Sequence, residues 1–467
     1  MSRYSYSRKP KMDVNTWSDR LHSLIENRET LDRNDFSTRI RQLAGESLRH
    51  RFGIQDFVEM QQWLALVLAK EDVSLSKFAC SRFFDVATHG HTIANAIWET
   101  SEHSSCRCPG SDSMTLEDWR NGFKDVERAR HVREALRNHI YEPESLRECA
   151  IPKPSGGRRK LLIPTIEDRI IQRSISSTIS PYLDSLLSPT SFGSRPKIDR
   201  LDAIATASVL ASQVETPWVV AVDIKSAFPS TSKPRLMQTM RKYMHDEKIC
   251  DLVEQAFSNC SKGMPQGAPI SPVLVNLHLH HLIDKKWSKL NNTPKLLRYV
   301  DDLLIVCGSR EKANECYETL NKLVVQAGYR LKTNGEQSVF DASNGIFEWL
   351  GYEVRLAPFR VSPGEEKWFE LRAKLEAAIE NCPAGCEEEY VTGIVHDWLS
   401  QTIPPMEFCQ LESVQAKAEN LLKELNLPVE FHSLGDIYSD VKRRWNRALT
   451  KAEKKFSIQC DAVLTTS

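Results

Sequence analysis

Long stretches of this chain carry apolar residues at three- and four-residue spacing. They are interrupted by short runs that are apolar almost throughout. Over residues 14 to about 103, "WSDRLHSLIENRETL" and "IQDFVEMQQWLALVLAKEDV" have the helical period. "CRCPGSDS" reads as a loop from its Pro, Gly and Ser content, and "TLEDWRNGFKDVERARHVREALRNHI" as a second helical segment. The period then changes. "LRECAIPKPSGGRRKLLIPT" predicts two short strands around a Pro-Ser-Gly-Gly turn, and "IEDRIIQRSISSTISPYLDSLL" a helix. "WVVAVDI" predicts a buried strand, followed by helices in "KPRLMQTMRKYMHDEKICDLVEQAF" and "PISPVLVNLHLHHLIDKKW". "LLRYVDDLLIVCG" predicts strand, turn, strand, and "REKANECYETLNKLVVQAG" a helix closed by Gly328. "FEWLGYEVRL" predicts a further strand pair. From Phe359 onward the pattern is helical, broken at "NCPAG" and "TIPPM".

The middle of the chain thus runs strand, helix, helix, strand-turn-strand, helix, strand. That order resembles the split β-α-β arrangement, a small antiparallel sheet with helices on one face. At 467 residues the chain is too long for one hydrophobic core, and 41% hydrophobic with 27% charged residues is an ordinary soluble composition. No apolar run is long enough to span a membrane, and the basic, polar start has no secretory pattern. Twelve irregularly spaced cysteines suit reduced thiols, so a cytoplasmic setting is expected. The 62 basic and 62 acidic residues cancel, but not locally. Residues 151–200 carry nine Lys or Arg against four Asp or Glu, and "VKRRWNRALTKAEKKF" carries seven against one. Patches of this kind serve an anionic partner even when the total is zero, although a solvated helix face has the same composition.

Asp301 and Asp302 interrupt an apolar run, where adjacent carboxylates repel each other and lose hydration. A hairpin turn is the bland explanation. Asp223, at the end of "VVAVD", supplies another: two apolar strands each delivering an aspartate to one sheet edge. Carboxylates so gathered need cations, and hard oxygen donors suit Mg²⁺, which bridges carboxylates and substrate phosphates.

"RYVDDLLIV" resembles the Tyr-x-Asp-Asp signature of reverse transcriptases, and "AVDIKSAF" their strand with the first metal-binding aspartate. "GMPQGAPISPVLVNLHLHHLID" is similar to their Gln-Gly-x-x-x-Ser-Pro motif in the form found in bacterial group II intron-like enzymes. "PGSDSMTLEDW", "IPKPSGGRRKLLIPTIEDRIIQ", "SFGSRP" and "FEWLGYEV" resemble the fingers entry, the fingertip hairpin and its helix, the segment before the catalytic strand, and the primer grip. The likeness covers roughly residues 109 to 355 in the family's order.

The resemblance implies an α+β right-hand polymerase: a helical N-terminal extension (1–108), fingers (109–217), a palm with a small antiparallel sheet (218–358) and a helical thumb or RNA-binding region (359–467). It implies RNA-templated DNA synthesis under two Mg²⁺ ions, with Mn²⁺ as a substitute. Asp223 and Asp301, with the Ile224 carbonyl, would hold metal, and Asp302 would act mostly from behind them. Lys153 and Arg159 would reach the triphosphate, Phe228 would exclude a 2′-hydroxyl, and Gln266 and Gly267 would flank the nascent pair. Tyr299, Trp349, Leu350 and Gly351 would contact template or primer; Arg169 and Gln172 would either contact the template or bridge inside the fingers. Partners would be an RNA template, deoxynucleoside triphosphates and the DNA product, with no membrane and an open oligomeric state.

Gln337 stands where relatives commonly have a lysine that assists proton delivery to pyrophosphate, and Lys332 is the candidate substitute. "PGSDS" replaces a common Gly-x-Asp-Gly, a change confined to a turn. The role expected is that of a stand-alone bacterial enzyme with its own noncoding RNA, in antiphage defence. A maturase-like RNA-binding scaffold is the alternative, and an RNA-templated RNA polymerase is disfavoured by Phe228.

Overall fold

The computed structural model describes residues 83–102, 107–153, 156–196, 198–333, 337–381, 387–427 and 434–456, with the single positions Arg20, Ser23 and Arg39. Most of the helical stretch expected before residue 103 lies outside these residues. Two compact units divide the chain. One comprises residues 1–149, 160–187 and 232–277; the other comprises 150–159, 188–231 and 278–467.

The first unit is organised on the helix Ile166–Leu186. Thr165 caps it, its hydroxyl accepting from the Asp168 N–H at 3.3 Å. Ile166, Ile170, Ile171, Ile175 and Ile179 are fully buried along it, and the helices Phe83–Ala87 and Gly90–Glu102 pack against it. Two segments that read as single helices are each broken. Leu116–Arg120 and Asp125–Arg137 are separated at Asn121 and Gly122, with φ of 49° and 74°. Lys233–Tyr243 and Glu247–Ala256 are separated because Asp246 accepts from the N–H groups of Lys248 and Ile249, starting a new helix. The hairpin of β1 (Arg147–Pro152) and β2 (Arg158–Ile163) forms as expected, turning through Gly156 and Gly157 at φ of 81° and 79°.

The second unit holds a four-stranded antiparallel sheet built from β3 (Trp218–Asp223), β4 (Leu296–Tyr299), β5 (Asp302–Cys307) and β6 (Val339–Asp341), in the order β4-β5-β3-β6. The strand closing this sheet is therefore "VFD" rather than "FEW". The latter, β7 (Phe347–Trp349), joins β8 (Tyr352–Leu356) and β9 (Phe359–Pro363) in a separate three-stranded sheet. Phe359–Pro363 is strand where the pattern had suggested helix, and the helical region begins at Glu365.

Helices cover both faces of the four-stranded sheet, not one. Val219, Leu304 and Val306 pack with the helix Arg200–Ala211, whereas Cys307 meets Cys316 on the helix Arg310–Gln326. The first of these helices, "RLDAIATASVLA", is small and apolar on nearly every side, so it offers no amphipathic stripe to read. The C-terminal helix Leu434–Phe456 lies along it, burying Val441, Trp445, Ala448, Ala452 and Phe456 at helical spacing. Among the described residues no helix is long and apolar enough to cross a membrane.

Candidate active site

Strand register brings the aspartates together in the second unit. In the antiparallel pair β3–β5, Asp223 lies directly opposite Asp302, and the Ile224 N–H donates to the Asp301 carbonyl at 3.0 Å. Like charges directly opposed across a ladder destabilise it. Burial, with Asp301 beside it, pushes the Asp223 carboxyl up to about 6, against the pull of Lys332 and Arg159. Burial, then Asp223, Asp301 and Glu366, pushes Asp302 up to about 8. Asp301 is raised as well, chiefly by burial.

Backbone contacts place Lys332 beside this cluster. Ile224 and Leu331 form a bridge, and the Lys332 N–H donates to the Asp223 carbonyl at 2.8 Å. The Lys332 ammonium then lies 3.6 Å from Asp223 Oδ2. Gln337 is exposed. Asp223 Oδ1 is buried and has no hydrogen-bond partner. That orphaned oxygen in a mutually repelling carboxylate set fits a hard divalent cation. No group of three or more carboxylate, imidazole or thiol side chains among the described residues closes on one point. The fit is therefore to an ion that takes one or two carboxylates and completes its shell with water and substrate phosphate.

Around the aspartates, Phe228 is half-buried on the short helix Ala227–Ser230, and Tyr299 pairs with Asp302 in the β4–β5 ladder. Lys153 and Arg159 are exposed at the hairpin tip, and Arg159 exerts its charge on both Asp223 and Asp301. Trp349 is buried, and Leu350 and Gly351 form a left-handed turn with φ of 54° and 77°. Gly351 is required there: its φ is unsuited to other residues, and a Cβ would meet Lys367 Cγ at 3.3 Å.

In the first unit, Gln266 accepts from the Leu162 N–H through its backbone carbonyl at 2.8 Å, and Gly267 has φ of 114°. Arg169 and Gln172 stand as the interior alternative has them. They are 2% and 1% exposed, and Arg169 donates to the carbonyls of Thr165 and Cys108, so both stand in the interior and not on a face open to a template strand.

Sequence reasoning passed over Arg298, Asp284 and His280. Arg298 is fully buried, donates to both Asp284 oxygens (Nη2 to Oδ2 at 2.6 Å, Nε to Oδ1 at 2.8 Å), and donates through Nη1 to the Val300 carbonyl at 3.0 Å. An arginine inside the apolar run "KLLRYV" was the available signal, because a buried guanidinium requires a buried partner.

The model of the family described as Reverse transcriptase (RNA-dependent DNA polymerase) matches residues 151–354, a span that includes every one of the aspartates above. This segment is a reverse transcriptase domain. Curated proteins similar to this chain include a retron reverse transcriptase. Protein YkfC of Escherichia coli is 25% identical over 341 residues, covering 63% of this chain and 87% of that protein. Retron Ec86 reverse transcriptase of Escherichia coli is 26% identical, covering 60% of this chain and 83% of its own. The group II intron-encoded protein LtrA of Lactococcus lactis is 22% identical, and the match covers 52% of each chain. The matched segment thus carries the RNA-directed DNA polymerase family's pattern, in a chain of mixed helix and small antiparallel sheets.

Proposed function

We propose that the chain copies an RNA template into DNA as a stand-alone bacterial enzyme with a dedicated noncoding RNA, in antiphage defence and in the cytoplasm. Residues 109–217 act as fingers, 218–358 as palm and 359–467 as thumb, the helical part of which starts at Glu365. What supports the reading most is the facing pair Asp223 and Asp302 with Asp301 tied to Ile224, a charge cluster with an orphaned oxygen.

Asp223 and Asp301, with the Ile224 carbonyl, hold Mg²⁺, for which Mn²⁺ can substitute. Bound there, two such ions would supply positive charge to an attacking hydroxyl and to the leaving oxygens of a phosphoryl transfer. Asp302, opposite Asp223, adds its negative charge to the cluster once a bound cation displaces its proton. Lys153 and Arg159 draw the triphosphate in, Arg159 with a fork suited to phosphate. Phe228 packs beneath the incoming sugar and rejects a 2′-hydroxyl. Tyr299 and the turn Trp349–Leu350–Gly351 seat the primer end. Lys332, already beside Asp223, is placed to meet the charge developing on pyrophosphate.

The test is to purify the protein with its host RNA and supply labelled deoxynucleotides and Mg²⁺, with an Asp301→Ala, Asp302→Ala variant alongside. Labelled DNA from the wild type alone is expected, and its sequence identifies the template and primer. RNA retained equally by both proteins with no DNA made by either would replace this reading with the scaffold.

A further inference from the structure

We infer that the buried pair Arg298–Asp284 positions the catalytic turn, holding Asp301 in place through the Val300 carbonyl. The inference rests on the polymerase reading and adds residues to its machinery. Val300 immediately precedes Asp301 and has φ of 57°, a left-handed conformation that a β-branched residue adopts only when its surroundings impose it. Arg298 is what imposes it. Its Nη1 donates to the Val300 carbonyl at 3.0 Å, while Nε and Nη2 grip the Asp284 carboxylate.

The rest of the surroundings fix Arg298 itself. Its backbone N–H donates to the Thr190 carbonyl and its carbonyl accepts from the Phe192 N–H, at 2.9 and 2.8 Å. Gly193 of the same loop lies against the turn so closely that a Cβ there would come within 2.7 Å of the Val300 nitrogen. Asp284 ends a π-helical turn, His280–Asp284, where widened backbone often marks a functional constraint. His280 Nδ1 stands 3.4 Å from Asp284 Oδ2 and 3.3 Å from the Ser188 nitrogen, linking that turn to the same loop. Burial alone would raise the Asp284 carboxyl, but the guanidinium and His280 more than offset it and hold it well below the usual carboxylate range. Neither partner touches a reacting atom. Both act through the Val300 carbonyl on the backbone that carries Asp301.

Two full-length variants separate positioning from stability. Arg298→Met, Asp284→Leu removes both charges and fills their space, a change that is often neutral or stabilising for a buried pair. Arg298→Lys keeps a charge for Asp284 but lacks the second donor that reaches Val300. The readouts are the melting temperature, kcat and KM for primer extension, and direct Mn²⁺ binding followed by the loss of the free-ion spectrum. The expected result for the double variant is melting near that of the wild type, kcat lower by about 100-fold as for a misplaced catalytic group, KM within threefold (roughly 0.6 kcal/mol), and weakened Mn²⁺ binding. Arg298→Lys is expected to lose about tenfold in kcat with KM again preserved. A folded double variant with wild-type kcat and Mn²⁺ affinity overturns the inference, and if that variant does not fold, Arg298→Lys decides by the same criteria. If the wild type makes no DNA, the polymerase reading fails, and Mn²⁺ binding by the variants alone decides the positioning role.

Discussion

Asp223 and Asp302 contribute to the pH response with a sign unusual for carboxylates. Their carboxyls stand at about 6 and about 8, above the ~3.9 of an unfolded aspartate. Across that window the folded chain retains protons that the unfolded chain has released. These groups therefore favour folding most on the acid side and lose that contribution as pH rises from about 4 towards 8. A divalent cation held here would replace the protons, so its stabilising effect should grow with pH. Melting curves with and without Mg²⁺ should show a larger shift at pH 8 than at pH 5.5, and a shift of equal size at both would count against metal binding here. Lys332 carries a second expectation. Because its ammonium is 3.6 Å from Asp223 Oδ2 while Gln337 is exposed, Lys332→Ala should slow single-turnover extension by about tenfold, at the low end of acid–base contributions. Gln337→Ala should leave it within about twofold, the range of a surface change. The reverse ranking would return the role to position 337.

Elements show which physical signals survive in a sequence and which do not. β3 and β5 were legible because β5 is buried nearly end to end and its apolar run is long. β6 was not, since three half-buried residues carry no alternation, and the longer "FEWLGYEVRL" carries the stronger strand pattern. The aspartates were legible for a related reason: a charge inside an apolar run is conspicuous. For Arg169 and Gln172 the sequence left two readings open, because helical period does not tell which polar residues are buried. Asp246 was missed because its cap depends on packing as well as on local sequence. It accepts from Phe84 N–H at 2.7 Å besides Lys248 and Ile249. Asp246→Ala should therefore cost about 1–2 kcal/mol in a denaturant titration, as for a strong N-cap. A loss below a few tenths would mean that water replaces those three bonds.

At the scale of the molecule the cancelling charge conceals a directed distribution within the second unit. The helix Leu434–Phe456 has Arg444 paired with Asp199 at 3.2 Å and Lys451 with Asp202 at 2.8 Å, so part of its charge is anchored to the helix beneath. Burial together with Arg195 and Lys451 lowers the Lys455 ammonium, a sign that cations are crowded at this end. Arg447 and Lys454 line a surface cleft of about 570 Å³ with Asn446, Thr450, Lys451 and Lys455. Crowded cations of this kind suit a phosphate backbone, which would release counterions on binding and make affinity fall steeply with salt. Each phosphate contact removed lowers the slope of log affinity against log salt by roughly 1. Arg447→Gln, Lys454→Gln should therefore reduce the slope for RNA binding by about 2, without changing melting temperature, since both side chains are exposed. The check is a filter-binding series across KCl concentrations with the host RNA and an unrelated RNA of equal length. Equal loss on both would mark a sequence-independent grip, whereas an unchanged slope would show that the RNA track lies elsewhere on the protein.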